Sequence, residues 1–237
     1  MDCVIVRTLS SIPFNLTDLE WTNKNQCMKC VEWILTCPEM VNLTALSLCY
    51  TGSETGIGDK GCQLLDCNLM RNLTCLSLGS QRIGNRGCKI IANSSHLTNL
   101  RTLELTFNIF DNEGLKELVE GLIMVNLTSL DLSYSKYCTN EGFQSLITSP
   151  YITNLKSLNL TNVVVHELVF SKPLFNLEAL NLSHNCMTNI TVNSNLCNLT
   201  RLDLECNNLT ETICHQLFQS NSFKLTDLNL SYLPIGD

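Results

Sequence analysis

Apolar and polar positions follow a recurring six-residue frame along most of this chain. Leucines fall at Leu43-x-x-Leu46-x-Leu48, Leu73-x-x-Leu76-x-Leu78, Leu100-x-x-Leu103-x-Leu105 and Leu127-x-x-Leu130-x-Leu132. The frame continues at Leu155-x-x-Leu158-x-Leu160, Leu177-x-x-Leu180-x-Leu182, Leu199-x-x-Leu202-x-Leu204 and Leu225-x-x-Leu228-x-Leu230, with an imperfect first copy at Leu16-x-x-Leu19-x-Trp21. Side chains of a strand alternate between its faces, so the two leucines of Leu-x-Leu share one face and the residue between them takes the other. One such unit cannot bury its leucines alone, whereas stacked copies can. Nine strands at ~4.8 Å spacing make a parallel sheet roughly 40 Å long with a continuous leucine core behind it.

The returns between strands come in two lengths. Copies begin at residues 16, 43, 73, 100, 127, 155, 177, 199 and 225, so successive starts lie 27, 30, 27, 27, 28, 22, 22 and 26 residues apart. After the Leu100 copy, Phe110 to Leu122 carries apolar residues at helical spacing, with Asp111 and Glu113 near its start, which predicts an amphipathic helix. Ile57 to Leu65, Ile83 to Ile91 and Thr139 to Ile147 fill the same slot. The two 22-residue units, between Leu155 and Asn198, are too short for that helix, so extended or 3₁₀ returns and a flatter curve are expected there.

These triplets resemble the leucine-rich-repeat family, and the long units resemble its ribonuclease-inhibitor-like, intracellular, helix-containing type mixed with two shorter repeats. The resemblance implies an α/β solenoid, a horseshoe with a concave parallel sheet of about nine strands and a convex side of helices and irregular returns. Residues 1–42 are expected to hold an irregular N-terminal cap and the first repeat, with a helix in Cys27 to Met40, and residues 43–237 the solenoid. Leu233-Pro234-Ile235-Gly236-Asp237 ends where the next helix is due, so a C-terminal cap is expected to be missing. The ninth position of each unit, often an asparagine in the family, is Asn108, Asn185 and Asn207 in three copies. Elsewhere it is Thr51, Gln81, Ser135, Val163 and Leu233, which predicts irregular turns.

Composition narrows the function. A formal charge of −7 with no basic run argues against phosphate neutralisation, and so against nucleic acid, and favours a basic partner. No stretch is apolar enough to span a bilayer, and Met1-Asp2-Cys3-Val4-Ile5-Val6-Arg7 lacks the basic start and long apolar run of a secretory signal. An intracellular, cytoplasmic chain without membrane attachment is expected. The 14 cysteines are too sparse in 237 residues for a disulfide scaffold and read as free thiols used as small apolar side chains.

Several motifs reduce to the repeat itself. Gly56-Ile57-Gly58-Asp59-Lys60-Gly61 matches a phosphate-binding pattern, but Ile83-Gly84-Asn85-Arg86-Gly87 fills the same slot without the first glycine, so the glycines read as turn formers. Cys27-x-x-Cys30, near Cys37, is half of a zinc or redox motif. No second pair follows, and these cysteines fall with Val31 and Ile34 on one helical face, which favours a core role. Eleven Asn-x-Ser/Thr sequons arise because Asn-Leu-Thr opens the repeat, so glycosylation at most of them is not expected. His96, His166, His184 and His215 lie in different repeats and register positions, none beside a recurring nucleophile. No catalytic residue, metal site or cofactor is assigned.

The residues between the leucines form columns on the concave side. The central one reads Glu20, Ser47, Ser77, Glu104, Asp131, Asn159, Asn181, Asp203 and Asn229, without a positive charge. The column two residues earlier contains Arg201, the single basic member, and the one two residues later adds Glu205 to small polar residues. At the lip stand Asn23, Tyr50, Ser80, Phe107, Tyr134, Asn162, His184, Cys206 and Tyr232. Exposed aromatics are efficient interface anchors. The sequence therefore points to a non-enzymatic protein–protein interaction module that grips a basic partner through Glu20, Tyr50, Glu104, Phe107, Asp131, Tyr134, Asp203, Glu205 and Tyr232. Alternatives within the same fold are a substrate-recognition subunit of a ubiquitin ligase, for which no F-box is present, or a small-GTPase regulator. A zinc or redox site at Cys27 and Cys30 is the alternative of a different class.

Overall fold

In a computed structural model the described residues are 16–20, 31, 32, 34, 37–49, 56–192, 196–219 and 223–235. Trp33, Cys27, Cys30, Tyr50 and Thr51 lie outside them. Each leucine frame forms one short strand: β1 Asp18–Glu20, β2 Ala45–Ser47, β3 Cys75–Ser77, β4 Thr102–Glu104, β5 Ser129–Asp131 and β6 Ser157–Asn159. The rest are β8 Ala179–Asn181, β10 Arg201–Asp203 and β11 Asp227–Asn229, and all nine pair in parallel in the order β1-β2-β3-β4-β5-β6-β8-β10-β11. The register sets leucine beside leucine from Leu19↔Leu46 to Leu202↔Leu228. One core runs the length of the stack, and Leu46, Leu76, Leu103, Leu130, Leu158 and Leu180 are all buried in it.

The long repeats return through helices: α1 Gly58–Leu65, α2 Asn85–Ala92, α3 Asn112–Glu120, α4 Asn140–Ile147 and α5 Glu211–Gln219. The two short repeats return through β7 Glu167–Phe170 and β9 Asn189–Val192, a two-stranded parallel sheet on the back, as the loop lengths required. Glycines let neighbouring helices approach: a Cβ on Gly114 would stand 2.6 Å from the Asn85 amide oxygen, and one on Gly142 would stand 2.3 Å from that of Asn112. The Gly-x-Gly-x-x-Gly pattern serves the same purpose, since a Cβ on Gly56 would meet the Gln81 carbonyl and Gly58 has φ +56.

Three ladders, two of asparagine and one of aspartate and asparagine, tie repeat to repeat. In the inner one, Asn108 Oδ1 accepts from Ile83 N at 2.9 Å while its Nδ2 donates to the Leu78 and Leu105 carbonyls, both at 2.9 Å. Asn185 and Asn207 repeat this arrangement, and both are buried. The second ladder belongs to Asn-Leu-Thr: Nδ2 of Asn72, Asn126 and Asn198 each donates to a carbonyl of the preceding repeat, at 2.7, 3.1 and 2.8 Å. The threonine hydroxyls of Thr74, Thr128 and Thr200 do likewise. The third runs along the helix starts, where Asp59 accepts from Gly84 N and Gly87 N, Asn112 from Thr139 N, and Asn140 from His166 N and Glu167 N. Where asparagine is missing from the inner ladder the turns change. Ser135 leaves its buried hydroxyl without a hydrogen-bond partner among the described residues, and Arg82 and Val164, beside Gln81 and Val163, take positive φ values of 58° and 61°.

Candidate functional site

The central concave column holds its acidic and amide groups in a ladder of its own. A short polar side chain at the end of a strand accepts the backbone N–H two residues on: Asp131 Oδ1 from Ser133 N at 2.8 Å, Asn181 Oδ1 from Ser183 N at 2.9 Å and Asp203 Oδ1 from Glu205 N at 3.0 Å. The second oxygen of Asp131 accepts from Asn159 Nδ2 at 2.8 Å, and Glu205 Oε2 accepts from Asn229 Nδ2 at 3.0 Å. The Asp/Asn preference of this column thus has a backbone cause that the column reading missed. The charges nevertheless stay at the surface, because Glu104, Asp131, Asp203 and Glu205 are only half-buried and Glu20 is exposed.

The sites expected from sequence fall into separate groups. Glu104 and Asp131 are register partners on β4 and β5, and Phe107 and Tyr134 lie just beyond them. Asp203 and Glu205 lie on and after β10, three strands from Asp131 along β5-β6-β8-β10, which is roughly 14 Å. Glu20 is on β1 and Tyr232 follows β11, at opposite ends of the sheet. Tyr50 is outside the described residues. An open trough of about 380 Å³ runs from β6 past Asp203 to β11, lined by Asn159, Asn181, Arg201, Asp203, Asp227 and Asn229 among others. The Arg201 guanidinium there makes no ion pair with a described residue.

Backbone conformation sets the lip. Ser80, Phe107, Tyr134, Asn162, His184, Cys206 and Tyr232 all have φ between 52° and 60°. The left-handed region costs a residue with a Cβ roughly 1–2 kcal/mol, and asparagine and histidine bear it best. Two aromatic residues occupy it side by side, and their rings stack with centroids 3.9 Å apart and planes 11° apart. Phe107 is 52% exposed and Tyr232, which stacks on no described ring, is 79% exposed. A second grouping was not singled out from the sequence: His184, Glu205 and Cys206 bring one ligand atom each within 4.8 Å of one another. The column order already set His184 and Cys206 side by side at the lip, and that adjacency was the available signal.

The fold and this face define a leucine-rich-repeat solenoid with one short strand per turn. A family model described as "Leucine Rich repeat" matches residues 96–119, 174–190 and 195–213. No curated protein sequence matches the chain. Among solved structures it is similar to an internalin, InlF, from Listeria monocytogenes, with TM-score 0.55, 22% identity, and coverage of 84% of this chain and 58% of InlF. Internalin InlC2 of the same organism gives TM-score 0.55 and 23% identity over 84% of this chain and 76% of the other. The TLR13–ssRNA13 complex gives TM-score 0.51 and 22% identity over 97% of this chain and 37% of TLR13. The chain therefore spans 58% of the length of InlF, and these likenesses establish the fold. Among the described residues no helix is long and apolar enough to cross a membrane.

Proposed function

We propose that the chain is a non-enzymatic recognition module whose concave face binds a protein partner through a basic segment. The carrying observation is the stacked Phe107–Tyr134 pair, held in a costly backbone conformation at the edge of the Glu104–Asp131 acidic pair. The turn imposes that conformation on every described lip residue, but among them only this pair stacks two aromatic rings into a broad apolar platform. An aromatic platform beside carboxylates suits a lysine- or arginine-bearing segment, whose charge meets the acids and whose aliphatic stem or guanidinium plane lies on a ring. Asp203, Glu205 and Tyr232 extend the same face toward β11, and Glu20 extends it toward β1.

The nine described cysteines from Cys62 to Cys214 are free thiols, which supports a reducing, cytoplasmic setting. The TLR13 complex holds RNA, but a concave floor that carries Glu104, Asp131, Asp203, Glu205 and Asp227 against the one cation Arg201 among its described columns repels phosphates. A role as the recognition subunit of a larger assembly, a ubiquitin ligase or a GTPase regulator, uses this same face.

Capture of partners from the source cell at low salt, followed by titration at rising salt, tests the reading. Binding is expected to weaken as salt rises, to fall at least about tenfold in Asp131→Lys, and to fall again in Tyr134→Ala. Affinity unchanged in both variants would move the site off this face.

A further inference from the structure

We propose that His184, Glu205 and Cys206 form a zinc site at the lip of the solenoid, between the turns that follow β8 and β10. Only Glu205 is shared with the partner-binding reading, and the inference does not depend on it. The three side chains supply one imidazole nitrogen, one carboxylate oxygen and one thiolate sulfur, a mixed set that suits zinc better than the hard, oxygen-seeking calcium or magnesium. Their ligand atoms lie within 4.8 Å of one another, with His184 exposed and Glu205 and Cys206 half-buried. Bonds of about 2.0 Å to nitrogen and oxygen and 2.3 Å to sulfur set tetrahedral ligands about 3.3–3.7 Å apart, so side-chain adjustments of about an ångström close the set.

The backbone beneath is already fixed for this. His184 and Cys206 occupy equivalent positions in successive repeats and share the left-handed conformation, with φ 55° and 52°, so their side chains leave the two turns in the same direction. His184 N donates to the Glu205 carbonyl at 2.8 Å, which locks one turn to the next. Asn185 and Asn207, each directly after a ligand, are the buried rungs of the inner ladder and hold both turns rigid. Glu205 is oriented as well: Asn229 Nδ2 donates to its Oε2 at 3.0 Å and leaves Oε1 for the ion, the kind of support that metal ligands ordinarily receive. Three protein ligands leave a fourth position open to water at the edge of the concave face.

The chain has other cysteines, so the test must identify the ligand sulfur. Reduced full-length protein is titrated with Co²⁺ alone and then with Zn²⁺. One Co²⁺ per chain is expected, with a thiolate-to-cobalt charge-transfer band that Zn²⁺ abolishes. Cys206→Ser is expected to remove the band, and His184→Ala and Glu205→Gln each to weaken Zn²⁺ at least about tenfold, while Cys27→Ser with Cys30→Ser changes neither. His184 is exposed, so His184→Ala tests the site even if Cys206→Ser fails to fold. Absence of the band at millimolar Co²⁺, its survival in Cys206→Ser, its loss in the Cys27, Cys30 double variant, or a loss of affinity under tenfold in His184→Ala would each overturn the site.

Discussion

Phe107 and Tyr134 stack face to face across adjacent repeats, 3.9 Å between ring centroids, and each sits at a positive φ that most residues avoid. The turn imposes that conformation: every described lip residue from Ser80 to Tyr232 adopts it, whatever its side chain. The stack recovers part of the cost, since aromatic pairs contribute about 0.5–1.5 kcal/mol beyond the area they bury. Tyr232 bears the same conformation with no such return.

Stability and binding should therefore separate at these positions. Tyr232→Asn is expected to stabilise the fold by about 0.5–1 kcal/mol, because asparagine tolerates the left-handed region and a 79% exposed ring loses little. Phe107→Asn gains the same backbone relief but forfeits the stack, so its net stability change should stay within about 0.5 kcal/mol while partner affinity falls. Urea unfolding of both variants, with partner titration of the second, checks the pair. Equal stabilisation of the two would mean the stack contributes nothing.

The solenoid was legible in the sequence because its determinants are local and repeated: Leu-x-Leu fixes strand, face and register at once, and the lengths between copies separated α3 from β7 and β9. The lip row was legible as a column, yet its positive φ was not, since Phe107 and Tyr134 are residue types that do not announce that conformation. The hydrogen-bond role of Asp131 and Asp203 was hidden for a related reason. A carboxylate that caps its own strand and one that waits for a partner look alike in a column of letters. His184 with Cys206 was visible as an adjacency, but Glu205 joins them from a different column and only the turn geometry brings it near.

The inner ladder gives a sharper contrast. Asn108→Ala removes a buried amide that serves Ile83 N and the Leu78 and Leu105 carbonyls, leaving groups without partners, and should cost about 2–4 kcal/mol. Ser135 occupies the same slot one repeat later with its hydroxyl unpaired among the described residues. Ser135→Ala should then be neutral or stabilise by up to about 1 kcal/mol. Urea midpoints at constant slope decide it, and a comparable loss at both positions would disprove the ladder's asymmetry.

The Asn-Leu-Thr sequons carry the second ladder, and a glycan on Asn72, Asn126 or Asn198 would attach to the nitrogen that ties one repeat to the one before. Asn126→Ala and Thr128→Ala should each cost about 0.5–1.5 kcal/mol. When the chain is passed through a secretory host, mass spectrometry of its folded monomeric fraction should show those three asparagines unmodified. Full occupancy at any of them in folded material would contradict the ladder.

The buried thiols make stability fall in alkali. Burial pushes Cys62 from 9.0 up to about 12, helped by the negative charge of Asp59, and burial pushes Cys138 up to about 12, helped by Asp111. Cys88 moves the same way for the same first reason. In the unfolded chain these thiols ionise from about pH 9, while in the folded chain Cys62 and Cys138 keep their protons to about 12. The unfolded state therefore binds fewer protons across that window, and stability falls as pH rises through it. Below pH 9 both states hold the proton and the contribution is complete. Each fully ionising thiol gives a slope approaching about 1.4 kcal/mol per pH unit. Urea unfolding at pH 8, 9 and 10 should show little change over the first step and a loss over the second, and Cys62→Ala should make that second loss smaller. The same burial protects the sulfurs, so brief alkylation of the native protein should label exposed Cys186 and spare Cys62, Cys88 and Cys138. Rapid labelling of Cys62 in folded protein, or stability that holds level to pH 11, would show that these thiols are not sealed in the core.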